Sequence, residues 1–143
     1  MTHHFTTLLF FYGLIALCSG CDIVYLSRIT IHPPPSEGRV VESGKDAAFI
    51  NTVFEEYCAK QQFVYRDPKL GRSDVISACG AAWFYSAGLY PINDNYMVEL
   101  RLMQPGPWRT ATKFFCEKTR ELYDFFSGRI VTYRITLHQN PGC

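Results

Sequence analysis

An α+β domain with a sheet wetted on one face is what this sequence predicts, and three observations predict it. Residues 96–104 and 130–138 alternate apolar and polar side chains, the period of a strand with one buried face. Residues 46–62 and 110–127 carry apolar side chains at helical spacing. Breaker clusters separate these stretches, at Pro33-Pro34-Pro35, Asp67-Pro68, Pro91 to Asn95 and Pro105-Gly106-Pro107. With 143 residues, 48% of them hydrophobic and 19% charged, the chain has the length and apolar content for one packed domain.

Each element has its own reason. Ile23 to His32 is rich in β-branched residues and reads as a strand that Pro33 stops, because proline donates nothing to a ladder. Asp46 to Gln62 places Ile50, Val53, Phe54, Tyr57 and Cys58 on one helical face, and Ser43 or Asp46 can cap its start. Cys79 to Tyr85, small and aromatic, reads as a short second strand. Pro91 to Asn95 supplies turn residues, and the loop from Tyr90 to Asn95, with Trp108 beyond the next strand, is a second candidate contact surface. In the third strand Tyr96, Val98, Leu100 and Leu102 oppose Met97, Glu99, Arg101 and Met103. Thr110 to Ser127 is the second helix, with Ala111, Phe115, Leu122 and Phe126 on one side and Gly128 as its stop. Ile130 to His138 closes the series, with Val131, Tyr133, Ile135 and Leu137 facing in and Thr132, Arg134 and Thr136 facing out.

The order β-α-β-β-α-β is the split βαβ pattern of ferredoxin-like folds: a two-layer sandwich in which both helices cover one face of an antiparallel sheet. That expectation puts Arg134, Arg28 and Arg101 on adjacent strands of the open face, where arginine forks can hold an anion or an acidic partner. The plainer reading of the same residues is a solvated face with arginine stems lying on it.

The N-terminus departs from this composition. Residues 1–20 contain no Asp, Glu, Lys or Arg, and Leu8 to Leu17 form an apolar run broken by Gly13. Such a run is shorter than the roughly 20 residues a membrane-spanning helix needs, and matches the core of a signal peptide. Ser19, Gly20 and Cys21 follow it, with Cys18 where a leucine is usual and Leu17 one place early. This segment resembles the lipobox of bacterial lipoproteins. The resemblance covers residues 1–21 only and implies that residues 1–20 are removed, that the Cys21 thiol takes a diacylglycerol, and that residues 21–143 form the mature domain. It also implies an address: the bacterial cell envelope, facing the periplasm. In that class an Asp after the cysteine, here Asp22, can favour the inner membrane by a rule that varies among bacteria, so both membranes stay open. Ordinary cleavage to a soluble secreted protein is the alternative. Cys18 and Cys21 also spell CxxC, but a redox pair opens a helix after a strand, whereas this one closes an apolar leader.

With Cys21 assigned to the lipid, Cys58, Cys79, Cys116 and Cys143 remain, an even number suited to two bridges in an oxidising compartment. The expected fold brings all four to one end. Cys58–Cys79 with Cys116–Cys143 is the preferred pairing and Cys58–Cys116 with Cys79–Cys143 the competitor. Cys58 alone, on an apolar helix face, also suits a buried free thiol.

Little in the chain points to a reaction. His32 and His138 have no second histidine or carboxylate at metal-ligand spacing, and Glu55-Glu56 point to different sides of a helix. No metalloprotease, nucleophile-elbow, phosphate-loop or EF-hand motif is present, and no cofactor is implied. A net charge of +1 with no charge runs argues against nucleic acid as partner. Three functions follow as expectations. The first is a non-catalytic protein-binding or assembly module of the envelope; the second, an inhibitor or immunity protein that blocks a lytic enzyme; the third, a small enzyme.

Overall fold

In the computed structural model, the described residues are 23–34, 43–66, 74–82, 85–104, 111–138 and 143. Residues 1–20, read as a signal peptide, lie outside them, as do Cys21, Asp67-Pro68, Gly71 and Trp108. The elements are β1 (Ile23–His32), α1 (Ser43–Lys60), β2 (Val64–Arg66), β3 (Ser77–Ala82), β4 (Tyr85–Ile92), β5 (Asn95–Gln104), α2 (Ala111–Arg129) and β6 (Arg134–His138). All strands pair antiparallel in one sheet of order β2-β3-β4-β5-β1-β6. The α+β class stands, but the chain runs β-α-β-β-β-β-α-β, with two more strands than the four expected.

Those strands occupy residues that alternation alone does not reveal. β3 is Ser-Ala-Cys-Gly-Ala-Ala, too small to show an apolar period, and the expected strand over 79–85 straddles its end and the first residue of β4. β4 runs through Gly88 to Pro91 and Ile92, so the turn shrinks to Asn93-Asp94, with Asn93 at φ 52°. A two-residue hairpin needs that positive φ, which asparagine tolerates. Because the closing pair Ile92↔Asn95 takes the ladder bonds, the Pro91 nitrogen points away from β5, past the last β3–β4 pair, Ser77↔Leu89. Its missing N–H therefore breaks no ladder.

α1 buries Ile50, Val53, Phe54, Tyr57 and Cys58, and α2 buries Phe115, Leu122 and Phe126, the faces the periodicity predicts. α1 lies against β2, β3 and β4, and α2 against β1, β5 and β6. From the sheet come Ile29 and Ile31 of β1, Ala87 and Leu89 of β4, and Val98, Leu100 and Leu102 of β5. An aromatic set seals the space between the helices: Tyr57 stands 5.5 Å from Phe125 and 5.9 Å from Phe126, and Phe63 stands edge-on to Tyr85 at 4.9 Å.

The helix ends differ from expectation for local reasons. α1 ends in a Schellman cap: the Phe63 N–H donates to the Cys58 carbonyl at 2.9 Å and the Gln62 N–H to the Ala59 carbonyl at 3.0 Å. Gln62 takes the left-handed conformation there, at φ 57°. Gly128 does not stop α2, which runs on to Arg129. Gly128 is exposed with open space beside it, so keeping it helical costs only about 1 kcal/mol of propensity. Strand β6 consequently starts at Arg134, and Val131, expected to face in, lies in the preceding turn at 80% exposure. Ile130 takes the buried position instead.

Two disulfides form, Cys58–Cys79 and Cys116–Cys143, the first of the two pairings the sequence allowed. One ties α1 to β3, and the other ties α2 to the segment after β6.

Candidate partner-binding face

Both helices lie on one side, so among the described residues no element covers the other face of the sheet. Strand parity decides which side chains it carries. Leu26, Arg28, Thr30 and His32 of β1 alternate with buried Ser27, Ile29 and Ile31, and Met97, Glu99 and Arg101 of β5 alternate with buried Val98, Leu100 and Leu102. Ser86, Gly88, Tyr90 and Ile92 of β4 and Arg134, Thr136 and His138 of β6 complete the face.

The register fixes their neighbours. Gly88 lies opposite Glu99, Glu99 opposite Arg28, and Arg28 opposite His138. The Arg28 Nε donates to Glu99 Oε2 at 2.8 Å, and the Glu99 side chain is only 11% exposed. A carboxylate so far withdrawn from water needs its cation, so Arg28 is committed to Glu99 before any partner arrives. Arg101 lies opposite Leu26 and Arg134 opposite His32. Arg28 and Arg101 are thus two residues apart along β1, about 7 Å along the strands and 5 Å across. Arg101 and Arg134 are about 20 Å apart along the strands and 10 Å across. The three arginines share the face, as expected, but lie on a diagonal, and no single small anion spans them.

Arg28 and Arg101 instead border one shallow basin of about 330 Å³, lined also by Leu26, Asp74, Tyr90, Ile92, Met97 and Glu99. Its aromatic wall depends on a glycine. A Cβ on Gly88 would stand 2.7 Å from the Tyr90 hydroxyl oxygen and 2.8 Å from a ring carbon, so the Tyr90 ring lies back across the Gly88 backbone. Reading Tyr90 as part of a loop missed this; Gly88 two residues before it, on the same face of a strand, was the available signal. Arg101 makes no hydrogen bond or ion pair with another described residue. Its guanidinium borders this basin with its donors unspent on the other described residues.

Arg134 sits in a different setting. His32 Nδ1 is 3.0 Å from Asn95 Oδ1 and its Nε2 is 3.2 Å from Thr136 Oγ1, while His138 Nε2 is 3.1 Å from Thr30 Oγ1. Both histidines are thereby engaged with hydroxyl and amide groups of neighbouring strands.

The helical side holds the perturbed groups. Burial pushes the Tyr57 and Tyr85 hydroxyls far above the ordinary tyrosine range; Glu121 reinforces both, and the neighbouring Tyr85 raises Tyr57 further, whereas the neighbouring Tyr57 partly offsets the rise at Tyr85. Tyr133 is pushed up to about 12 by burial and by donating its hydroxyl to Asp46. Glu121 is held below the usual carboxylate range, mainly by the Lys118 ammonium 2.7 Å away. The buried tyrosines fix core packing, and none opens onto the basin residues. Among the described residues, no three His, Cys, Asp or Glu converge as metal ligands, and no helix is long and apolar enough to cross a membrane. Comparison of the chain with known protein families, with curated proteins and with solved structures finds no match.

Proposed function

We propose that this chain is an exported lipoprotein of the bacterial envelope, tethered by a lipid on Cys21, whose domain holds a protein partner on its open sheet face. The observation that carries the reading is the one-sided layering: an uncovered face with an Arg28/Arg101/Tyr90 basin at its centre. Tyr, Met and Arg are the side chains that protein interfaces favour, and here Tyr90, Met97 and Arg101 gather at one place. A rigid sheet also presents them without the ordering cost a loop would add. The role is non-catalytic: on this face the carboxylate of Glu99 is held by Arg28 and the histidines are held by their neighbours. The domain is a ferredoxin-like core, β6-β1-β5-β4 with its two helices, widened by β3 and β2 at the β4 edge; the strand order supports this reading.

The test is site-specific photo-crosslinking in the native host. A benzoylphenylalanine at position 90 or 97 should give one discrete adduct, and the same group at Glu56 or Asp124 on the helices should give none. Adducts from the helical positions alone, or from no position, would overturn the proposal. Intact mass of the membrane-purified protein tests the address: an acylated Cys21 is expected, and an unprocessed chain from Met1 would refute export.

A further inference from the structure

The reading of Cys21 as the lipid site sets a geometric condition on the folded domain. Cys21 precedes Ile23, the first residue of β1, by two positions, and two residues reach about 7 Å at most. The start of β1 must then lie at the bilayer surface, with no linker to lift it away. The antiparallel register shows what shares that end of the sheet. Ile23 pairs with Gln104 at the end of β5, Leu102 pairs with Tyr85 at the start of β4, and the start of α2 and the end of α1 lie beside them. Phe114 of α2 contacts Tyr85 at 5.7 Å, and Tyr85 contacts Phe63, which precedes Val64.

This end exposes Val64 at 69% and Phe114 at 43%, with Val24 near the start of β1. Two lysines border Phe114, Lys113 and Lys118 on the first turns of α2, whereas Lys60 at the end of α1 holds its ammonium 5.2 Å over the Phe125 ring, further along α2. Lys118 Nζ stands 5.9 Å over the Phe114 ring while donating to Gln61 and Glu121. Glu117 and Glu121 are the acidic groups on the same turns of α2. An apolar side chain flanked by lysines at the level of a lipid attachment suits headgroups and the upper acyl region. The opposite end also exposes apolar side chains, Phe49, Ile92 and Val131. Hydrophobicity therefore does not choose between the ends; the two-residue tether does.

We infer that the domain stands upright on the bilayer that holds its lipid, with Val64, Phe114 and the Lys113/Lys118 pair in contact with lipid and the Asn93-Asp94 hairpin pointing away. This inference rests on the lipid-anchor reading. β1 is 10 residues long, so the hairpin lies about 30 Å above the lipid surface. The open sheet face then stands perpendicular to the membrane, reachable from the side.

The experiment uses full-length protein processed in a bacterial host and reconstituted in vesicles of phosphatidylethanolamine and phosphatidylglycerol at 3:1. An environment-sensitive fluorescent amino acid is placed singly at 64, 114, 92 or 131, and brominated lipid serves as quencher. Quenching at 64 and 114 should exceed that at 92 and 131 at least twofold, and Cys21→Ser should lose vesicle association. Equal quenching at both ends, or more at 92 and 131, in protein whose mass shows acylation would overturn the orientation and leave the anchor standing. A mass without acyl chains would overturn the anchor, and the orientation with it. Amide hydrogen exchange of the unlabelled protein gives a second readout if a labelled variant misfolds. Vesicles should protect residues 61–66 and 112–118, and unchanged exchange there would equally overturn the orientation.

Discussion

Between α2 and β1 two hydroxyls meet in an otherwise apolar layer: Thr119 Oγ1 lies 2.7 Å from Ser27 Oγ and 2.8 Å from the Phe115 carbonyl. Each hydroxyl has one proton, so Thr119 donates back along the helix and Ser27 donates to Thr119, leaving neither unpaired. Both side chains are buried, so removing Thr119 strands the Ser27 hydroxyl, whereas removing Ser27 leaves Thr119 its bond to the Phe115 carbonyl. Thr119→Val should cost about 1–3 kcal/mol in urea unfolding, and Ser27→Ala with Thr119→Val should cost less than the two single changes summed. Gly88→Ala acts by a different route. The Cβ meets the far end of the Tyr90 side chain rather than backbone, and a side-chain end can shift at small cost, so stability should fall by under about 1 kcal/mol. The Tyr90 ring resonances should nonetheless move in an NMR spectrum, and partner crosslinking from position 97 should drop. A spectrum in which Tyr90 does not shift would refute the seat assigned to it.

The elements show which physical signals a sequence carries and which it hides. β5 and both helices were legible because each repeats one apolar period along its length, and β1 because it is rich in β-branched residues. β3 and β4 were not: Ser77 to Ala82 has no large side chain to mark a face, and Gly88 and Pro91 imitate loop chemistry inside β4. Parity alone placed Arg28, Arg101 and Arg134 on the open face. The diagonal that separates them, and the basin, come from the register, which tertiary packing sets. Two predictions belong to this scale. Gln62 holds the left-handed position of the α1 cap, so Gln62→Gly should raise stability by up to about 1 kcal/mol, read as a higher urea midpoint. The bridges span 21 and 27 residues, which by chain entropy alone makes them nearly equal at about 3 kcal/mol each. Burial separates them, since Cys58 and Cys79 lie in the core while Cys143 is exposed. The double alanine variant at 58 and 79 should therefore melt lower than that at 116 and 143, because it also leaves a cavity.

For the molecule as a whole, the tyrosines set the alkaline limit. Tyr57, Tyr85, Tyr96 and Tyr133 all have raised pKa values in the folded state, chiefly through burial. A raised pKa favours the neutral hydroxyl, so the stability these groups confer is full below about pH 10. It is lost as pH rises through their folded-state values, which for Tyr133 is about 12. Unfolding free energy should be level from pH 8 to 10 and then fall, and Tyr133→Phe should remove the tyrosinate step near pH 12 from an ultraviolet titration. Glu121 acts in the opposite direction, its lowered pKa giving stability that fades as pH falls into the acid range. The strand order carries a further consequence, in time. β1 is near the beginning of the chain, yet its two neighbours lie far downstream: His32 and its partner Asn95 are 63 residues apart, and His32 and Thr136 are 104 apart. A chain emerging at roughly 5–20 residues per second leaves β1 without β5 for about 3–13 s, and without β6 for about 5–20 s. Through that interval both edges of an apolar ten-residue strand are open templates. The sheet closes from its middle only when the C-terminal half arrives, so the danger of mispairing falls during biogenesis, before the finished protein exists.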